Sequence, residues 1–369
     1  MTVEEKICAA WLTSAMLPRD VLEALLEQFE STAAIHDAWM SGDALFRSLL
    51  PQSVQDVLRQ EHNRTQWLFW KKQISEHGLE VLTLKDDAYP ARLKLIADPP
   101  PILFYQGSLE PLNRHCLSMI GTRRASYRGL QASRKMAAQF AGAGVTVVTG
   151  FACGIEEACH EGTLREDAAS VAVMACGLDL SYPAQSGSLK NKMLEKGSLF
   201  LSEFAPGARP VGWHFPIRNR LISGLGEALI VMEAGKKSGC MITVQHALDQ
   251  GRDVFAYPGD ADAASFAGNH QLLREGAIFF TRAEEVLEDM RWLDISRKEV
   301  QNSVCSGEKA EPGGREKLVL TALKRGRLSF DQLSYETGIP AAELMSMLTM
   351  LQLRGRVHAM PGKIYQYQE

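Results

Sequence analysis

No stretch of this 369-residue chain approaches the run of about 18 apolar residues that a spanning helix needs, which excludes insertion into a membrane by that route. The opening Met1-Thr-Val-Glu-Glu-Lys lacks the basic flank and apolar segment of a secretory signal, and a cytoplasmic location is expected. The seven cysteines have no framework spacing, and those at 153, 176 and 240 sit among small or apolar neighbours, as reduced buried thiols do. Cys153, Cys159 and His160 have no second pair to complete a tetrahedral set, so no metal is expected. No Gly-x-x-x-x-Gly-Lys-Ser/Thr occurs and no Gly-x-Gly-x-x-Gly follows the first expected strand, which removes the ATPase loop and the dinucleotide fingerprint and leaves no cofactor. A net charge of −4 excludes coating of nucleic acid by bulk charge.

Acidic residues are also missing where it matters. Between Pro111 and Ile155 there is no Asp or Glu, while Arg114, Arg123, Arg124, Arg128, Arg134 and Lys135 place six positive charges there. Phe204 to Gly226 is a second acid-free stretch and carries Arg209, Arg218 and Arg220. Local fields of this kind attract polyanions even on an acidic protein.

Domains of roughly 100–150 residues predict two or three in this length. Residues 1–80 read as helical from the apolar spacing of Ile7 to Leu12, of Val21, Leu22, Leu25 and Leu26, and of Leu45, Phe46, Leu49 and Leu50. The expected unit is a small helical domain of sterile-alpha-motif-like or helix-hairpin-helix-like type, serving either as an interaction module or as a packing cap. Residues 81–293 form the expected core, with short, nearly continuous apolar runs at 117–120, 146–149, 170–176, 199–202, 228–233, 254–257 and 277–280 separated by helix-length segments. Such runs are strands covered on both faces, so the fold class is α/β, an extended Rossmann-like doubly wound parallel sheet. A polar linker is expected at 294–315. Residues 316–369 then read as helices at 317–324, 329–336 and 341–354 and a hairpin about Pro361-Gly362, a winged-helix domain.

In an open parallel sheet the ligand lies beyond the carboxyl ends of the strands. The segments that fall there are Gly121-Thr-Arg-Arg, Gly150-Phe-Ala-Cys-Gly, Arg218-Asn-Arg-Leu-Ile-Ser-Gly and Ser238-Gly-Cys-Met-Ile-Thr. Their glycines admit a phosphate close to backbone N–H groups, the following helix starts add partial positive charge, and arginine adds a planar fork. No nucleophile–base pair accompanies them, and neither His160 nor His214 is assigned a catalytic role, so binding without turnover is expected.

The order of these segments resembles a known family. Gly121-Thr-Arg, Thr149-Gly-Phe-Ala-Cys-Gly-Ile-Glu with His160, Cys176-Gly-Leu-Asp with Tyr182-Pro183, Leu201-Ser-Glu, Phe215-Pro-Ile-Arg-Asn-Arg-Leu-Ile-Ser-Gly, Val231-Met-Glu-Ala, Ser238-Gly-Cys-Met-Ile-Thr and Val254-Phe-Ala-Tyr-Pro-Gly are similar to the DprA/Smf core over about residues 90–290. The resemblance implies a dimer that binds and protects single-stranded DNA and loads RecA on it, as in natural transformation. It implies a binding pocket from Gly121, Thr122, Arg123, Gly150, Phe151, Ala152, Gly154, Arg218, Asn219, Arg220, Ser223, Ser238, Gly239 and Thr243, with Phe151 or Phe215 offered to a base. Phe215 has a competing reading as a core residue at a helix start. The family carries a basic residue and an Asn after Tyr-Pro where this chain has Ala184-Gln-Ser-Gly, and Lys190 or Lys192 is the expected replacement. Phe266, His270, Leu272 and Leu273 fall near the family's dimer face.

Two rival readings differ in class. A Rossmann hydrolase of the phosphoribohydrolase type uses similar loops, but Ser223-Gly-Leu-Gly-Glu stands here in place of its Pro-Gly-Gly-x-Gly-Thr-x-x-Glu signature. A duplex-binding regulator would use the winged helix, where residues 315–369 hold eight Lys or Arg against five Asp or Glu.

Overall fold

The computed structural model describes residues 1–292, 314–353, 356–360 and 364–367. The chain divides into two compact units, Met1–Ser296 and Arg297–Glu369.

The first unit is built on one nine-stranded sheet. Its strands are β1 (Glu80–Thr83), β2 (Ile102–Gly107), β3 (Cys116–Ile120), β4 (Thr146–Thr149), β5 (Val171–Val173), β6 (Leu199–Ser202), β7 (Ala228–Val231), β8 (Asp253–Ala256) and β9 (Ile278–Phe279), in the spatial order β1-β2-β6-β5-β4-β3-β7-β8-β9. From β6 to β9 all pairings are parallel. Every residue of β3, β4, β5, β6 and β7 is buried, as the continuous apolar runs require of strands covered on both sides. All seven expected strands are present, three of them shorter, with that at 277–280 reduced to Ile278–Phe279. The runs at 170–176 and 228–233 end as strands at 173 and 231, each followed by one last amide bond, from Met174 and Met232, to the neighbouring strand. The antiparallel β1 and β2, which add an edge beside β6, had not been expected. β1 has only four residues, and the three prolines at 99–101 conceal the start of β2.

Helices α1 (Val3–Ser14), α2 (Arg19–Gln28), α3 (Thr32–Ser41), α4 (Ala44–Leu49), α5 (Gln52–Glu61) and α6 (Arg64–His77) precede the sheet. They share one apolar cluster with it: Trp11, Leu25, Phe46 and Trp70 meet Phe104, Phe151, Met174 and Phe200. Trp70 is fully buried and donates its indole N–H to the Pro206 carbonyl at 3.2 Å. The helical segment therefore packs as a cap over one end of the sheet.

Between the strands run α7 (Ala91–Lys94), α8 (Tyr127–Gly142), α9 (Ile155–Arg165), α10 (Gly187–Glu195), α11 (His214–Leu225), α12 (Cys240–Asp249), α13 (Ala267–Arg274) and α14 (Ala283–Asp289). Apolar residues of α8, α9 and α14, including Phe140, Ile155 and Leu287, cover one face. Those of α7, α11, α12 and α13, including Leu93, Leu221, Val244 and Leu272, cover the other. Strand β3 lies centrally, with β4 on one side and β7 on the other, so the chain reverses direction across the sheet between β3 and β7. That is the topological switch point at which doubly wound folds hold ligands.

The second unit comprises α15 (Gly314–Arg325), β10 (Leu328–Ser329), α16 (Phe330–Thr337), α17 (Ala341–Leu353), β11 (Val357–Met360) and β12 (Ile364–Tyr367), a winged helix. Ser329 caps α16 reciprocally with Gln332, and Gly338 ends it in the left-handed conformation, φ 65°, which forms the expected turn between the second and third helices. Val319, Leu323, Leu333, Leu344, Leu348 and Val357 make its core. Residues 294–313 of the expected linker and the Pro361-Gly362 turn lie outside the described residues.

Candidate nucleic-acid interface

At the switch point the loops after β3, β4 and β7 lie against one another. The Thr122 amide donates to the Glu233 carbonyl at 2.7 Å, and the Ile155 amide donates to the Thr122 carbonyl at 3.3 Å. This closeness needs glycine. A Cβ on Gly121 would stand 2.4 Å from the Ile155 side chain. One on Gly154, at φ +90°, would stand 2.6 Å from the Thr122 carbonyl.

Above these loops is a cavity of about 390 Å3. Its floor is Arg218, 3% exposed, whose Nη1 donates to the Val173 carbonyl and whose Nη2 lies 3.8 Å from Glu156 Oε1. Glu156 in turn accepts the Ala152 amide at 2.8 Å. Burial draws the Arg218 guanidinium below its ordinary value while Glu156 pulls the other way. A Cβ on Gly150 would sit 2.2 Å from Arg218 Nη1 and 2.3 Å from Glu156 Oε2, so any larger residue here must displace that pair.

The rim differs in character. Arg123 is exposed, and its guanidinium carbon lies 4.3 Å from the centre of the Phe215 ring, with Arg218 at 6.0 Å from the same ring. Neither Arg123 nor Arg124 forms an ion pair among the described residues. Asn219 accepts from Arg218 Nε at 3.3 Å, and Gly239, Cys240 and Thr243 at the start of α12 close the opposite wall. Ser238 precedes that helix and accepts the Cys240 amide at 3.4 Å. An exposed cation stacked on an aromatic ring thus stands over a second, buried cation.

Several expected site residues are placed elsewhere. Arg220 points away from the cavity, because two helix positions are separated by about 200° around the axis. It holds Glu203 through Nη1 and Nη2 at 2.8 and 2.7 Å and Asp98 through Nε at 3.0 Å. Ser223 is buried on the sheet side of α11 and donates to the Arg220 carbonyl. Lys190 is buried too, donating to the Leu178 carbonyl at 2.5 Å, and so does not replace the absent cation; Lys192 is exposed on α10. Phe151 packs edge-on against Phe200 at 5.2 Å, a core contact, so Phe215 is the ring that faces the cavity. At the expected dimer face, Phe266 and Leu272 are buried within this chain, while His270 and Leu273 keep partial exposure.

Both histidines near the loops are structural. His160 Nε2 donates to the Gly150 carbonyl at 2.8 Å and its Nδ1 accepts from Ser170 Oγ at 2.9 Å; burial lowers its pKa to about 4. His214 donates to the Ala175 carbonyl at 3.1 Å and stacks on Phe204.

Two contributors are not singled out from the sequence, Glu233 appearing only within the Val231-Met-Glu-Ala motif. Glu233 accepts from the amide and hydroxyl of Ser126, fixing the start of α8. Asn269 accepts the Ala234 amide at 2.7 Å and donates to the Val231 and Tyr257 carbonyls at 2.9 Å, tying the ends of β7 and β8 together. Glu156 was visible only as a member of the Gly-Ile-Glu motif.

Fold and cavity define a Rossmann-type protein with cationic, glycine-lined loops at its switch point and an attached winged helix. The sequence profile for DNA recombination-mediator protein A matches residues 80–291, and that for the DprA winged helix domain matches residues 307–363. The chain belongs to the DprA/Smf family of DNA-processing proteins. It is 32% identical to protein Smf of Escherichia coli K12 over 80% of this chain and 78% of that one. It is 37% identical to the DNA processing protein DprA of Streptococcus pneumoniae R6 over 57% of this chain and 74% of the relative. The solved S. pneumoniae DprA structure superposes with a TM-score of 0.60 at 30% identity, covering 75% of this chain and 95% of that one. A Helicobacter pylori DprA structure, described for its single-stranded DNA binding mode, superposes with a TM-score of 0.52 at 25% identity over 57% of this chain and 95% of its own. Among the described residues no helix is long and apolar enough to cross a membrane.

Proposed function

We propose that the chain binds single-stranded DNA in the cavity between the β3 loop and α11, and that as a dimer it protects the strand and hands it to RecA. The observation that carries the binding site is the exposed Arg123 guanidinium over Phe215 above the buried Arg218. A phosphate meets a cation at the rim, backbone amides of the glycine loops approach it, and a base can stack at the Arg123–Phe215 pair once the guanidinium turns to the phosphate. The DNA-binding description of the H. pylori relative supports the same ligand. We take the site to act by holding: the two imidazoles beside it are engaged with backbone carbonyls, and the Glu156 carboxylate is engaged with Arg218 and the Ala152 amide. The dimer and RecA are partners this reading takes from the family.

The winged helix is a weaker candidate for the DNA surface. In a helix-turn-helix the second helix of the motif enters the major groove, and here that helix, α17, reads Ala-Ala-Glu-Leu-Met-Ser-Met-Leu-Thr-Met-Leu-Gln-Leu, with no Lys or Arg.

Titration of labelled oligo-dT and a matched duplex at several salt concentrations tests the reading. Preference for the single strand, weakened in Arg123→Ala, is expected. Equal duplex binding indifferent to that substitution would overturn it.

A further inference from the structure

The first turn of α11 separates the arginine cavity from a second hollow. Phe215, Pro216 and Arg218 face the former; Trp213 and Ile217 face a cavity of about 260 Å3. Trp213 is the most unusual residue there, since a ring of that size is 51% exposed. It is not loosely placed. His214 meets it edge-on with centroids 4.1 Å apart, and His214 is itself stacked on Phe204 at 3.9 Å and anchored to the Ala175 carbonyl. The indole is the outermost of three supported rings.

The charge around it suits a polyanion. Trp213 lies inside the acid-free segment from Phe204 to Gly226, and exposed Arg209 in the same loop forms no ion pair among the described residues. The two carboxylates that line the second hollow, Glu203 and Asp98, are both held by Arg220, and Asp98 also by Arg19. Among the described residues that line this hollow, no carboxylate is left without an arginine partner.

We infer that Trp213 is a second base-stacking platform, which extends the track of a single strand from the arginine cavity across the start of α11 toward Arg209. This rests on the single-stranded DNA reading of that cavity and adds a subsite to it. A nucleobase is the occupant favoured over a protein segment because the ring stands at the same first turn of α11 that borders the arginine cavity, within an acid-free segment and with an unpaired arginine four residues before it. Stacking on an aromatic side chain is indifferent to base identity, so the subsite lengthens the footprint without adding sequence preference.

The test is oligo-dT of graded length, from the shortest that binds upward, with the full chain, Trp213→Ala, Trp213→Phe, Arg209→Ala and Arg123→Ala, each checked for an unchanged thermal midpoint. Trp213→Ala should lose roughly 5- to 150-fold affinity on long oligonucleotides and nothing on the shortest. Trp213→Phe should retain most of the binding, and Arg209→Ala should lower the salt slope on long strands only. Equal affinity of Trp213→Ala and parent at every length, or the same factor lost at every length, would overturn the platform. If Arg123→Ala weakens all lengths while Trp213→Ala is silent, the platform alone fails and the face returns to a protein partner. If Arg123→Ala is silent and Trp213→Ala still loses long strands, the platform stands and the cavity reading fails.

Discussion

The Arg123 guanidinium rests over the Phe215 ring, its central carbon 4.3 Å from the ring centre, so the cation is oriented by a residue more than ninety positions away in sequence. Charge and orientation are separable. Each phosphate neutralised on a single strand contributes about 0.7 to the log–log salt slope, and Arg123→Ala should lower the slope by about that amount. Arg123→Lys keeps the charge but loses the planar fork, so its slope should match the parent while its affinity falls. Phe215→Leu should reduce affinity with the slope unchanged.

Arg220 carries a different prediction despite its position two residues from Arg218. Its ion pairs with Glu203 and Asp98 are structural, and removing one partner of a buried pair costs about 3–5 kcal/mol. Since Asp98 is more than half exposed, about 3 kcal/mol is expected for Arg220→Ala. Denaturant unfolding should show the loss, while DNA affinity of the folded fraction stays near that of the parent.

Gly150→Ala tests the floor. The added methyl would overlap Arg218 Nη1 and Glu156 Oε2, so the pair must separate or the loop must shift. Overpacking of this kind costs about 1–3 kcal/mol, and oligo-dT affinity should fall with it. Gly144→Ala, at a site with open space but φ +79°, gives a comparison in which stability falls without loss of affinity.

His160 makes stability depend on pH. Unfolded, the imidazole takes a proton near 6.5; folded, it resists protonation until about pH 4. Between those values the unfolded chain holds more protons, so this stabilisation is complete above pH 6.5 and is lost as pH falls toward 4, a total of roughly 3 kcal/mol. Denaturant midpoints of parent and His160→Gln, compared at pH 7 and 5, should show the smaller decline in the variant. An identical decline would assign the effect to other groups.

Much of the fold was legible because its signal is local. A continuous apolar run between turn residues reads as a covered strand, and β3, β4 and β6 begin and end within one residue of expectation. The antiparallel β1 and β2 are not read from the sequence: β1 is a four-residue edge strand, and the apolar run Ile102–Tyr105 of β2 follows directly on three prolines that read as a loop. The site was half legible for a geometric reason. Composition places Arg218 and Arg220 in one basic segment, but only the phase of α11 sends one to the cavity and the other to Glu203. The same applies to Lys190, which the phase of α10 turns inward to the Leu178 carbonyl. Phe151 is the site residue expected and Phe215 reads rather as a core residue at a helix start, but packing commits Phe151 to Phe200 and leaves Phe215 lining the cavity.

The hydrogen bonds of Asn269 to both strand ends and of His160 to the glycine loop lie behind the cavity. They settle the shape of the groove during folding, before any ligand arrives. Preorganised sites lose little conformational entropy on association, so the ordering cost is moved from binding to folding. Residues that never touch a ligand then become determinants of affinity: loosening Asn269 would return that cost to the moment of encounter, and a stability defect would be measured as a weaker grip.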